Sequence, residues 1–194
     1  MEITKARGIA SSIVAQLKPF CDRIEIAGSI RRGKAEVHDI DIVAIPSGMA
    51  FHREMQKCGY VSGGPKIYKV EVFVFDGNGK LLICASKKFT ADIYIASEAT
   101  WATLLLIRTG SANHNKMLCT LAKSKGMKLH ADGSGLERVS ATPNLFNQQR
   151  IAGGALPFPF GLDVISGCMF IECATETDIF KALGMPYKAP GERE

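Results

Sequence analysis

The chain has one tryptophan, no Cys-x-x-C among its six cysteines, and only four histidines. The cysteines stand at 21, 58, 84, 119, 168 and 173 and the histidines at 38, 52, 114 and 130, which completes no zinc-ligand spacing. The thiols therefore read as the reduced, mostly buried cysteines of a cytosolic protein. No apolar run approaches the roughly 20 residues needed to cross a bilayer, so no membrane partner is expected. The amino-terminal segment MEITKARGIASSIVAQL lacks the basic-then-apolar design of a secretory leader. The expected location is the compartment of synthesis, the cytoplasm, without secretion. No internal repeat of solenoid length is present. A charge excess is also nearly missing: 24 basic against 19 acidic residues leave +5. That is compatible with a polyanionic partner but shared by many ordinary enzymes.

What is present describes a globular protein, with 46% hydrophobic and 22% charged residues in 194, enough for one ordinary domain or two small lobes. Ile9, Ile13, Val14 and Leu17 recur at helical spacing, predicting an amphipathic helix over about 4–18 that Pro19 stops. Arg23 to Ile26 alternate as a short strand, and Ala27-Gly28-Ser29 turns the chain. Residues 39–45, DIDIVAI, alternate at first and then become wholly apolar, as in a strand entering a core from a polar edge. A helix at about 50–58 is expected next. KVEVFVFDGNGKLLICAS then reads as a hairpin, and KFTADIYIAS as a further strand. Helices follow in ATWATLLLIR and NHNKMLCTLAKSKG, joined by Thr109-Gly110-Ser111. Residues 139–173 carry no assignable pattern. The tail restarts a helix with Thr175 as N-cap and Asp178 at its third position. The order predicts an α+β lobe of about 100 residues and a smaller second lobe.

Chemistry concentrates in residues 28–45, GSIRRGKAEVHDIDIVAI. Asp39 and Asp41 lie two apart on the expected strand and so share a face. Two carboxylates about 4 Å apart repel by roughly 4 kcal/mol at an effective dielectric near 20. A divalent cation removes that penalty, and oxygen-only ligands favour Mg²⁺. Asp92 offers a third carboxylate from a neighbouring strand. A solvated strand face is the plain alternative for a D-x-D pair alone. Gly28-Ser29 exposes backbone N–H groups and a hydroxyl to an anion, with Arg31 and Arg32 in the same turn. An anion site eleven residues before a two-carboxylate site suits a nucleoside triphosphate with its metal.

The string GSIRRGKAEVHDIDIV resembles the signature of the X-family, polymerase beta-like DNA polymerases of the nucleotidyltransferase superfamily. KFTADIYIA is similar to the family strand bearing a third catalytic aspartate, IRTGSANHNKMLCTLAKSKGMKL to its T-G-S segment and following helix, and TETDIFKALGMPYKAPGERE to its carboxyl terminus. The resemblance implies a nucleotidyltransferase-type palm with a mixed sheet and flanking helices over 1–106, and a small α+β thumb over 107–194. It implies a minimal palm-plus-thumb form, similar in plan to compact viral members, without a lyase domain or helix-hairpin-helix clamps; a monomer is the default expectation, since no sequence pattern reads oligomeric state. It further implies a DNA-directed DNA polymerase that fills short gaps in repair, taking dNTPs and gapped or primed duplex DNA. By the resemblance Asp39, Asp41 and Asp92 bind two Mg²⁺ ions, replaceable by Mn²⁺, and Asp92 activates the primer 3′-hydroxyl. Gly28, Ser29, Arg32 and His38 would face the triphosphate, and Ile107, Arg108, Thr109, Gly110 and Asn115 the nucleotide. Lys116, Lys123 and Lys125 would contact DNA phosphates, although lysines near a helix C-terminus equally complement its dipole.

Three positions depart from the family. Ile107 and Arg108 stand where an aromatic pair is common, which bears on sugar selection. Cys119 replaces an arginine that supports the templating base, and His38 stands in place of glycine. The competing readings are a nucleotidyltransferase acting on RNA, a protein or a small molecule, a template-independent terminal transferase, and a non-catalytic nucleic-acid-binding module.

Overall fold

The computed structural model describes residues 1–57, 60–64, 66–72, 74–75, 81–82, 89–139 and 169–194. Helix α1 (Ile3–Leu17) buries Ala6, Ala10 and Leu17, and the two alanines let its backbone lie close to the sheet. Pro19 falls in a 3₁₀ turn (Lys18–Phe20) that ends the helix and delivers strand β1 (Cys21–Ile26). A single helical turn, α2 (Gly28–Arg31), separates β1 from β2 (Ile40–Pro46). Helix α3 (Met49–Lys57) is followed by β3 (Tyr60–Gly64), β4 (Ile67–Val72), the short pair β5 (Val74–Phe75) and β6 (Leu81–Leu82), and β7 (Phe89–Ile95). The tip of the predicted hairpin, 76–80, lies outside the described residues.

Five strands form a mixed sheet in the order β1-β2-β7-β4-β3. All neighbours are antiparallel except β2 and β7, which run parallel with Asp41 opposite Asp92. The two-residue period of β2 sorts its side chains onto two faces. Ile40, Ile42 and Ala44 enter a core with Ala10, Phe51 and Ile93 under α1 and α3. Val43 and Ile45 enter a second core with Trp101, Leu104 and Leu105 of helix α4 (Trp101–Thr109). Asp41 shares that second face but precedes the region α4 covers. That explains the change along DIDIVAI from alternating to wholly apolar: both faces are covered only in the latter half of β2.

Helix α5 (Ala112–Ser124), strands β8 (Met127–Leu129), β9 (Leu136–Arg138) and β10 (Met169–Ile171), and helix α6 (Glu176–Ala182) complete the fold. The three strands form an antiparallel sheet in the order β10-β9-β8. Leu118, Ala122, Leu129, Leu136, Ile179 and Phe180 pack with Leu106 and Ile107 of α4 in a third core. Helix α4 thus carries the expected boundary at 106/107 within it and joins both cores. As predicted, Thr175 caps α6: its hydroxyl accepts from the Asp178 N–H while the Asp178 carboxylate accepts from the Thr175 N–H. The fold is α+β, a mixed sheet with flanking helices followed by a smaller α+β unit. Of the unassigned stretch 139–173, residues 140–168 lie outside the described residues. Among the described residues no helix is long and apolar enough to cross a membrane.

Candidate active site

The site forms where β2 and β7, side by side and parallel, present Asp41 and Asp92 on one face. Asp39 stands in the bend before β2 and is exposed, which corrects the expectation that the strand begins with it. On one side β1 runs out at Ile26, whose partner is Ile42, so Asp39 lies beyond the reach of β1. Gly28 has φ +60°, and a Cβ there would overlap the Asp41 carboxylate, so glycine lets the α2 turn close over this acid. The Ala27 N–H donates to the Asp41 carbonyl at 2.8 Å, which ties that turn to β2.

Burial, together with repulsion from Asp39 and Asp92, pushes the Asp41 carboxyl up to about 6, although Tyr94 and Arg108 act in the opposite sense. Tyr94, two residues beyond Asp92 on β7, extends along the same face. Its hydroxyl donates to Asp92 Oδ2 at 3.4 Å and lies close enough to Asp41 for the two groups to influence each other's ionisation. Burial and the adjacent Asp41 carboxylate raise the Tyr94 hydroxyl well above its ordinary value, so it remains a proton donor. Arg108 places its guanidinium 4.1 Å from the centre of the Tyr94 ring. Lys69, opposite Asp92 in the β4–β7 register, donates to the same Oδ2 at 3.2 Å. Among the described residues, buried Asp92 Oδ1 has no hydrogen-bond partner.

The donors suit a hard divalent cation: three carboxylates, oxygen only, with a repulsion that such a cation relieves. The unpartnered Asp92 Oδ1 and the glycine cradle around Asp41 fit the same use. Among the described residues, however, no three acidic, histidine or cysteine side chains converge closely enough to hold an ion as they stand. Asp92 is held by Lys69 and Tyr94, and Asp39 faces solvent.

On the other side of Asp41, the Ser29 hydroxyl and Arg32 Nε are buried and have no hydrogen-bond partner among the described residues. An Arg32 terminal nitrogen donates to the Thr109 carbonyl beside Gly110, whose φ is +71°. Arg31, expected alongside Arg32 as an anion ligand, is instead committed elsewhere. It makes two 2.8 Å bonds to the Glu176 carboxylate and one to Thr109 Oγ1. Glu176 also accepts from fully buried Arg193 at 2.7 Å. The carboxyl-terminal unit is thereby clamped to the α2 turn.

The remaining expected residues are spread around this centre. His38 is exposed in the bend beside Asp39. Thr109 and Gly110 are buried against Arg32. Ile107 is 7% exposed and packed in the third core, since the helical turn that aims Arg108 at Tyr94 turns its neighbour inward. Asn115 donates its amide to the Ile107 carbonyl at 2.8 Å, leaving its Oδ1 buried and without a partner among the described residues. Lys116, Lys123 and Lys125 are exposed on or just beyond α5. Cys119 donates to the Leu129 carbonyl at 3.5 Å. Sequence reasoning missed Lys69, Tyr94, Glu176 and Arg193. Tyr94 was open to it, because its two-residue offset from Asp92 puts it on the acidic face. Lys69 depends on strand order, which no local pattern carries.

With this geometry in view, residues 104–194 match the family model for the DNA polymerase beta thumb. The chain is 30% identical over 185 residues to DNA polymerase lambda of Rattus norvegicus, a match covering 86% of this chain and spanning 28% of the rat protein. Two crystal structures of Leishmania infantum polymerase beta, a ternary P/T complex and a ternary gap complex, share its fold over the whole chain. Their TM-scores are 0.70 and 0.71 at 21% identity, and the match covers 76% and 70% of those chains.

Proposed function

Because the chain is an X-family, polymerase beta-like protein, we propose that it is a DNA-directed DNA polymerase that fills short gaps during repair. In this reading it works in the cytoplasm as a monomer on gapped or primed duplex DNA and dNTPs. The observation that carries it is the parallel β2–β7 pair, which sets Asp41 beside Asp92 with the Gly28-Ser29 turn closing on one side.

The α2 turn binds the triphosphate, with the unpartnered Ser29 hydroxyl and the Arg32 guanidinium supplying donors. Asp39, Asp41 and Asp92 would hold two Mg²⁺ ions. When bound, such ions neutralise the triphosphate and stabilise the attacking and leaving oxygens of an in-line displacement. Asp92 takes the proton of the primer 3′-hydroxyl. The O3′–Pα bond forms as the bond from Pα to the pyrophosphate oxygen breaks, and pyrophosphate leaves toward Ser29 and Arg32. Tyr94 holds Asp92 through its hydroxyl on the face shared with Asp41, and Arg108 steadies the Tyr94 ring. Asn115 lies at the start of α5, where a side-chain amide suits the degenerate acceptors of the minor groove. Lys116, Lys123 and Lys125 supply exposed cations for DNA phosphates, so binding weakens steeply with salt.

Primer extension on a one-nucleotide gapped duplex tests this reading, with Mg²⁺ against EDTA, each dNTP against its NTP, and wild type against Asp92→Ala. Template-directed, metal-dependent addition that Asp92→Ala abolishes is the expected result. Addition that ignores the template favours a terminal transferase. No extension on gapped, recessed or single-stranded DNA overturns the proposal.

A further inference from the structure

Lys69 forms an ion pair with the acid that this reading places at the primer 3′-hydroxyl. It stands on β4 directly opposite Asp92 and bonds Oδ2 at 3.2 Å, with half of its side chain exposed. Beyond it opens a cleft of about 600 Å³ whose wall includes Lys66, Lys69, Asp92, Tyr94 and Arg108. Its other wall is the turn around Gly133, which packs against Leu104; a Cβ on Gly133 would meet the Leu104 backbone at 2.8 Å. The cleft therefore lies on the Asp92 side of the acidic centre, and Ser29 and Arg32 lie on the Asp41 side. An in-line displacement brings the acceptor from the side opposite the leaving pyrophosphate, so an acceptor strand enters past Lys66 and Lys69.

An ammonium on a four-carbon stem, half in water, makes a weak and mobile pair with a carboxylate. A phosphodiester anion arriving within its reach competes for it. While Lys69 rests on Asp92, it also opposes a divalent cation there, both by occupying Oδ2 and by like charge.

Building on the polymerase reading, we propose that Lys66 and Lys69 form the subsite for a backbone phosphate near the 3′ end of the acceptor strand. Lys69 exchanges between Asp92 and that phosphate, so strand binding frees Asp92 for the reaction. Lys69 is a positioning residue in this scheme, acting on the chemistry through Asp92.

The test compares wild type with Lys69→Gln, Lys69→Arg and Lys66→Gln. Mn²⁺ binding to the DNA-free protein is followed by electron paramagnetic resonance, and gapped-duplex binding by fluorescence anisotropy across a salt series. Lys69→Gln is expected to bind Mn²⁺ about three- to tenfold more tightly, as removal of one nearby, partly screened positive charge allows. The same variant should lose about 0.7–0.9 from the slope of log affinity against log salt, the share of one phosphate contact. Lys66→Gln should lose slope without any gain in Mn²⁺ affinity, and Lys69→Arg should resemble wild type in both. A merely structural lysine would not give effects of opposite sign on metal and DNA. Unchanged or weaker Mn²⁺ binding in Lys69→Gln, or an unchanged slope, overturns the exchange. If wild type still extends the gapped primer in that case, only the exchange falls; if wild type fails to extend, the polymerase reading falls and the exchange with it.

Discussion

Replacing Glu176 with glutamine tests whether the carboxyl-terminal unit is held to the α2 turn by charge. Glu176 is 7% exposed and accepts from Arg31 twice at 2.8 Å and from Arg193 at 2.7 Å, and Arg193 is fully buried. Glutamine keeps the shape but removes the negative charge, which leaves the Arg193 guanidinium buried and uncompensated. Breaking a buried pair in this way costs about 3–5 kcal/mol, against about 0–1 kcal/mol for an exposed one. For a chain of this size, where 1 kcal/mol moves the midpoint by about 2–4 °C, the melting temperature should fall by about 6–20 °C. Burial raises the Glu176 carboxyl, but the hydrogen bonds from Arg31 and Arg193 outweigh it and hold the group below its ordinary value. A lowered folded-state pKa means that this stability is present above the unfolded-state value and is lost as pH falls through the folded one. The wild type should therefore lose ground to Glu176→Gln on acidification, and the two melting curves should draw together. Calorimetry or circular dichroism from neutral to acidic pH measures both effects. A destabilisation below about 1 kcal/mol, or a gap between the proteins that does not narrow in acid, would refute the reasoning.

Two further perturbations probe the site and its support. Gly28→Ala places a methyl against the Asp41 carboxylate at φ +60°, so it should cost about 1–3 kcal/mol and suppress primer extension; wild-type melting and extension would contradict the cradle. Burial, with Arg193 and Lys188 nearby, lowers the His114 imidazole to about 4 from an ordinary value of 6.5. The folded protein thus resists protonation that the unfolded chain accepts, and stability should fall as pH drops from about 6.5 toward 4. Melting temperatures of wild type and His114→Gln measured across that window should show a shallower pH dependence in the variant.

The sequence by itself determined the local elements and the chemistry they carry. Helical spacing located α1, turn residues bracketed the strands, Thr175 and Asp178 marked the cap of α6, and Asp39, Asp41 and Asp92 stood out as acids at or beside apolar strands. These signals are legible because they depend on neighbours two to four residues apart. Tertiary structure decided which distant residues meet. Parallel pairing of β2 with β7 sets Asp41 against Asp92, and antiparallel pairing of β4 with β7 brings Lys69 onto the same acid. Arg31 and Arg32 are adjacent and chemically alike, yet one is spent on Glu176, 145 residues away, while the other keeps a buried Nε without a partner. Their division follows from the packing of α6 against α4 and the α2 turn, and strand order and helix packing arise from the whole chain burying its apolar faces together.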